Sequence, residues 1–109
     1  MNEVTSEEHG DFTVVRLSGE VDLSWSQQVR QAILDALEGE VGVGVELSAV
    51  SYIDSSGIAA LVEGFQNARQ TGRRFALVAV SQAVMAVLEL ARLDRVFPIV
   101  ADVAAARAD

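Results

Sequence analysis

A single mixed α/β domain spanning residues 1–109 is what this sequence predicts, with a sheet of four or five strands, about four helices and the order β-β-α-β-α-β-α-β-α. Three observations point there. Short runs rich in β-branched residues alternate with segments whose apolar residues recur every three or four positions. Glycine or a Ser/Asp residue sits at most of the junctions. Half of the residues are apolar and 22% are charged, a composition that supports one packed core in a chain of this length.

Residues 3–8 are expected to form a weak first strand, and Gly10-Asp11 a turn into Phe12-Thr13-Val14-Val15-Arg16-Leu17, giving a hairpin. Gly19–Leu23 is expected as a loop. Ser24, with Gln27 three residues on, matches a capping box for a helix running to about Glu38, with Trp25, Val29, Ala32, Ile33, Ala36 and Leu37 facing inward and Gly39 stopping it. Val41, Val43, Val45 and Leu47 alternate as in a strand over 41–47, and Val50, Tyr52 and Ile53 keep the following approach apolar. The next helix runs from about Ser56 to Gln70, with Ile58, Leu61, Val62, Phe65 and Ala68 on one face and Gly72 after its end. Phe75–Val80 is an apolar run suited to a strand buried on both faces. Ser81 is placed to cap a third helix with Val84, Val87, Leu88 and Ala91 on its core side. Phe97-Pro98-Ile99-Val100 is expected as a short edge strand, and Asp102 as the cap of an alanine-rich terminal helix. Strands alternating with helices imply a partly parallel sheet with right-handed crossovers.

Composition excludes several classes of function. Without cysteine there is no disulfide framework, thiolate metal site or cysteine nucleophile. A net charge of −8 argues against binding a nucleic-acid backbone. All eight basic residues are arginine, so the lysine of a Walker A loop or a kinase site is absent, and any ATP site is expected on another protein. No stretch resembles a signal peptide or reaches the roughly 18 apolar residues that span a bilayer. A soluble, cytoplasmic protein with no membrane insertion is expected, with no metal or cofactor.

The most informative stretch is Asp54-Ser55-Ser56-Gly57, between an apolar strand run and an amphipathic helix. Ser55 and Ser56 fall at a helix N-terminus, where free N–H groups and the helix dipole favour negative charge, so a phosphate on either would be held there. Asp and Ser are also ordinary helix caps, and that reading stays open beside phosphorylation. Ligands of open α/β sheets collect beyond the carboxyl ends of strands, which places this loop and the Gly19–Leu23 segment on one rim.

Leu17-Ser18-Gly19-Glu20-Val21-Asp22, the run Leu47-Ser48-Ala49-Val50-Ser51-Tyr52-Ile53-Asp54-Ser55-Ser56-Gly57, and Leu90-Ala91-Arg92-Leu93 together resemble the STAS domains, and among them the bacterial anti-sigma-factor antagonists. The resemblance covers nearly the whole chain. It implies that Ser55 is a phosphorylation site and that Asp22, Asp54, Ser55, Ser56, Gly57 and Ile58 form a partner-binding surface. It further implies partner switching. The unphosphorylated chain would bind an anti-sigma factor that is also a serine kinase with its own ATP site, freeing a sigma factor. Phosphorylation would release the complex, and a serine phosphatase would reset it. STAS domains also serve lipid-transporting ABC systems by binding their ATPase, and this is the alternative.

Other residues have two readings each. Gly57, Ala59, Ala60 and Gly64 leave the second helix smooth for a partner or for packing within the domain. Ile58 suits the rim or the core. Trp25 suits the core better than an interface. Arg69, Arg73 and Arg74 complement a helix C-terminus or meet an acidic partner. His9 is expected in the first turn facing solvent. A Ser55–His9–Asp22 triad has little support, since no nucleophile-elbow motif is present, and no catalytic residue is expected.

Overall fold

The computed structural model describes residues 2–39 and 42–108. Five strands form one sheet in the order β1-β2-β3-β4-β5: β1 (Glu3–His9), β2 (Phe12–Val21), β3 (Gly42–Ile53), β4 (Phe75–Val78) and β5 (Ile99–Val100). β1 and β2 pair antiparallel as the expected hairpin, and every later pair is parallel. Helices α1 (Ser26–Leu37), α2 (Ser55–Gln70) and α3 (Gln82–Leu90) make the crossovers, and α4 (Val103–Ala108) ends the chain. Val41, assigned to the third strand from sequence, lies outside the described residues.

The period-2 pattern of the strands divides the core into two layers. Val15, Leu17, Val43, Val45, Phe75 and Leu77 pack with Val29, Ile33, Leu61, Ala68, Val84 and Leu88 beneath the three crossover helices. The opposite layer is smaller, with Phe12, Val14, Ala76 and Val78 under Ala106 of α4. There the Phe12 ring lies over β3, where a Cβ at Gly44 would sit 2.9 Å from it. Beyond α4 the same face is polar: Arg16 bridges Glu7 at 2.6 Å and Glu46 at 2.8 Å.

Several local expectations are corrected. β2 continues through Gly19–Val21, residues expected in a loop, because β3 also continues and supplies partners. Register shifts between Arg16 and Ser18 and between Gly19 and Glu20 absorb two extra residues of β3. Ser24 does not cap α1. The N-cap is Trp25, without a side-chain bond, and Asp22 organises the turn by accepting from the Ser24 hydroxyl at 2.6 Å and the Ser26 N–H at 2.8 Å. α1 ends at Leu37 with Glu38 as its C-cap, and the Gly39 N–H donates to Ala36 O at 3.3 Å. β4 ends at Val78 because Ala79 takes φ 51°, and β5 is confined to Ile99–Val100, beyond Pro98. Ala91, expected in the core, is the exposed C-cap of α3. His9 ends β1 instead of occupying the turn, with its Nε2 3.5 Å from Glu7.

Other signals hold. Gly72 takes φ 71° after α2, its N–H donates to Arg69 O, and the Arg73 N–H donates to Ala68 O at 2.8 Å, which together form a Schellman cap. Asp102 accepts from the Ala105 N–H at 2.8 Å at the start of α4. Trp25 is buried in the core.

Of Gly57, Ala59, Ala60 and Gly64 in α2, only Ala59 is exposed, and the other three turn inward. Gly57, Ala60 and Gly64 are buried, while Ile58, Val62 and Phe65 are only partly so. A Cβ at Gly64 would lie 2.6 Å from Ile33 Cγ2 and 3.2 Å from the Phe75 ring. Ile33 is fully buried and β-branched, so it has little freedom to yield. Gly64→Val is expected to destabilise the chain by about 1–3 kcal/mol in urea unfolding, whereas Gln66→Ala on the exposed face of α2 stays within about 0.5 kcal/mol.

Candidate functional site

The rim at the carboxyl ends of β2 and β3 is built from paired residues. Val21 is in register with Ile53, so Asp22 and Asp54 leave neighbouring strands side by side. The Asp54 N–H donates to Val21 O at 3.2 Å and ties the two exits together. The chain then turns into α2 without a spacer, because Asp54 itself is the N-cap. Its Oδ1 accepts from the Ser56 N–H at 2.9 Å, the Gly57 N–H at 3.2 Å and the Ser56 hydroxyl at 2.6 Å. Its main-chain carbonyl accepts the first helical bond, from Ile58 N–H at 3.0 Å.

These contacts separate the two serines. The Ser56 hydroxyl is committed to the cap and half-buried. Ser55 is exposed at the first helical position, and its hydroxyl makes no hydrogen bond among the described residues. The Ser56 hydroxyl, followed by the N–H groups of Gly57, Ser56 and Leu23, holds the Asp54 carboxyl below the ordinary aspartate value against the opposing effect of burial.

Gly57 is buried, and a Cβ there would meet Ile53 Cγ1 at 2.7 Å, Val21 Cγ1 at 2.8 Å and the Val21 carbonyl oxygen at 3.0 Å. It sets the seat of the helix and presents no surface of its own. Ile58 is partly buried against the core. Of the residues singled out from sequence, the structure thus gathers Asp22, Asp54, Ser55 and Ser56 on the rim. His9 sits at the other end of β2, opposite Phe12, roughly 30 Å away by strand length, so no triad with Ser55 forms.

The exposed apolar residues of the rim were missed. Leu23 is 76% exposed and Tyr52, read as part of an apolar approach, is 50% exposed. A leucine between Asp22 and Ser24 in a turn was the available signal. Beside them a shallow groove between α1 and α2 passes Ser56 and Ala59 and is closed by the Arg30–Glu63 ion pair at 2.7 Å.

The STAS-domain family model matches residues 3–106. The chain belongs to the STAS-domain family. A protein of Paenibacillus polymyxa named anti-sigma F factor antagonist is 28% identical over 99 residues, covering 89% of this chain and 85% of its own length. The crystal structure of an anti-sigma factor antagonist from Mycobacterium paratuberculosis superposes with a TM-score of 0.87 at 26% identity, covering 99% of this chain and 92% of the other. The Bacillus cell fate determinant SpoIIAA in its phosphorylated form shares the fold, with a TM-score of 0.75 at 23% identity over 97% of each chain. No helix among the described residues is long and apolar enough to cross a membrane, and no cluster of potential metal ligands occurs among them.

The lowered pKa of Asp54 has a definite sign in stability. The unfolded chain binds a proton at this carboxyl near pH 3.8, whereas the folded chain does so only at lower pH. The contribution is therefore fully present above that value and is lost as pH falls through the folded pKa. Asp54→Asn keeps an acceptor at the N-cap and removes the charge. Urea unfolding is expected to show the variant less stable at pH 7, with the gap closing as pH drops below about 4. A gap that stays constant with pH would contradict the assignment.

Proposed function

We propose that this STAS domain is an anti-sigma-factor antagonist that works by partner switching, with Ser55 as the phosphorylated residue. The observation that carries the reading is the division of labour between two adjacent hydroxyls. Ser56 is bonded into the cap, and Ser55 stands exposed and unbonded beside it. The likeness in sequence to a named anti-sigma F factor antagonist supports the same reading.

In this account a partner that is both anti-sigma factor and serine kinase binds the rim around Asp22, Asp54, Ser55 and Ser56, with Leu23, Tyr52 and Ile58 adding apolar contact. The Ser55 oxygen attacks the γ-phosphorus of ATP held by that partner. The Oγ–P bond forms, the bond to ADP breaks, and the serine proton passes to the kinase. The new group adds about −1.5 to −2 charge at pH 7 next to Asp54, on a surface that had fitted a neutral serine. Repulsion and desolvation then favour release. The α2 N-terminus stabilises the added charge within the domain, so the surface changes and the fold does not. A serine phosphatase hydrolyses the ester and restores binding.

Affinity capture from native lysate with wild-type and Ser55→Asp baits tests this. The wild type is expected to retain a kinase-like ATPase that the aspartate variant binds at least about tenfold more weakly, and phosphopeptide mapping is expected to place phosphate on Ser55 and not Ser56. Recovery of an ABC ATPase irrespective of Ser55 would overturn the proposal in favour of a transport role.

A further inference from the structure

The end of the molecule opposite Ser55 contains a pocket of about 270 Å³. Phe12 and Phe75, at the amino ends of β2 and β4, form its walls with Phe65 of α2 and Pro98 before β5. The rings of Phe65 and Phe75 meet edge to face at 6.1 Å. Arg69, Arg73 and Arg74 also line it, and no aspartate or glutamate among the described residues does. In a chain with sixteen acidic residues and eight arginines, three of those arginines meet at one apolar pocket.

The three have different surroundings. Arg74 lies over the Phe12 ring at 5.6 Å, donates from Nη1 to the Arg107 carbonyl at 2.9 Å and approaches Asp11 at 3.6 Å. Arg69 lies over Phe65 at 5.8 Å, and neither it nor Arg73 forms an ion pair with a carboxylate among the described residues. Closing a helix C-terminus accounts for cations there, but not for the aromatic walls beside Arg69 and Arg73.

We propose that this pocket binds a small amphipathic carboxylate, with an aryl or short acyl body against Phe12, Phe65 and Phe75 and its carboxylate on Arg69 and Arg73. Burial of the body removes apolar surface of both partners from water. Guanidinium groups match a planar carboxylate through paired N–H donors. The volume falls just below the roughly 300–1,000 Å³ of most ligand pockets, which suits a molecule of one or two rings. A polyphosphate fits poorly. The pocket adjoins the C-terminal end of α2, where the helix dipole opposes accumulated negative charge, and it lacks the N–H cradle of a phosphate site. Ser55 begins the same helix, about 20 Å away along its axis, so the two surfaces are separate.

Titration of 2-naphthoate into the full ¹⁵N-labelled chain, followed through backbone amide shifts, tests the proposal. Saturable shifts are expected at Arg73, Phe75, Ala76 and Ala106 but not at Asp22 or Ser55, with a Kd on the order of 0.1 mM or tighter. Neutral 2-naphthol is expected to bind the wild type about tenfold more weakly, and so is naphthoate to Arg69→Gln/Arg73→Gln, whose spectrum reports its own folding. The absence of saturable shifts at these amides in the millimolar range would overturn the proposal. Equal affinity for naphthol and naphthoate would overturn the carboxylate assignment, even if the double variant fails to fold.

Discussion

The head of α2 rests directly on the end of β2, and the rest of the site depends on that contact. A side chain at position 57 would collide with Val21 and Ile53, including the Val21 carbonyl oxygen, so a residue without Cβ is required there. With the helix seated so closely, Ile53 leads into it through one residue. Asp54 must then both end β3 and cap α2, bonding through its N–H to β2 and through its carboxylate to Ser56 and Gly57. Ser55 is left at the first helical position, with its side chain unused by the fold. The four residues Asp-Ser-Ser-Gly therefore divide into a cap, a free hydroxyl, a bonded hydroxyl and a seat.

That division leaves one hydroxyl of the rim outside the bonds that hold the helix. The Ser55 side chain makes no hydrogen bond among the described residues, so a group added to its hydroxyl would break none of them. The positive end of the helix lies beneath it, and the helix is held by other residues, Asp54, Ser56 and Gly57. The two ends of the molecule also differ in character. The Ser55 rim carries aspartates and exposed Leu23 and Tyr52, whereas the opposite end gathers arginines around aromatic rings. A chain of net charge −8 thus keeps a localised basic pocket far from its acidic rim.

The sequence made the architecture and the centre of the site legible because their signals are local. Strand runs such as Phe12–Leu17, the Gly72 stop and the Asp102 cap each depend on residues within one turn of the chain. Misreadings arose where tertiary pairing overrides local pattern. Over Ser48–Ile53 the buried residues are Val50 and Ile53, three apart, because two irregularities in register break the period of two. No strand template fits such spacing, and its partner Gly19–Val21 was accordingly read as a loop. Ser24 had the spacing of a cap, but Asp22 sits where a strand exit fixes its carboxylate and captured that hydroxyl. Whether the glycines of α2 faced a partner or the core was undecidable without knowing that Ile33 and Val21 lie across from them. The cluster Arg69, Arg73 and Arg74 is visible in the sequence, but the pocket joins it to residues of β2, α2, β4, α4 and the segment before β5, a convergence that no local pattern announces.

In the proposed switch, phosphate on Ser55 alters the surface while the helix beneath it stays intact. Amide hydrogen exchange of the chain phosphorylated at Ser55, compared with the unmodified chain, tests it most directly. Protection is expected to be unchanged from Leu61 to Ala68 and equal or greater at the amides that begin α2, where the phosphate would be held. Loss of protection along α2 on phosphorylation would mean that the switch melts the helix, and would contradict the account.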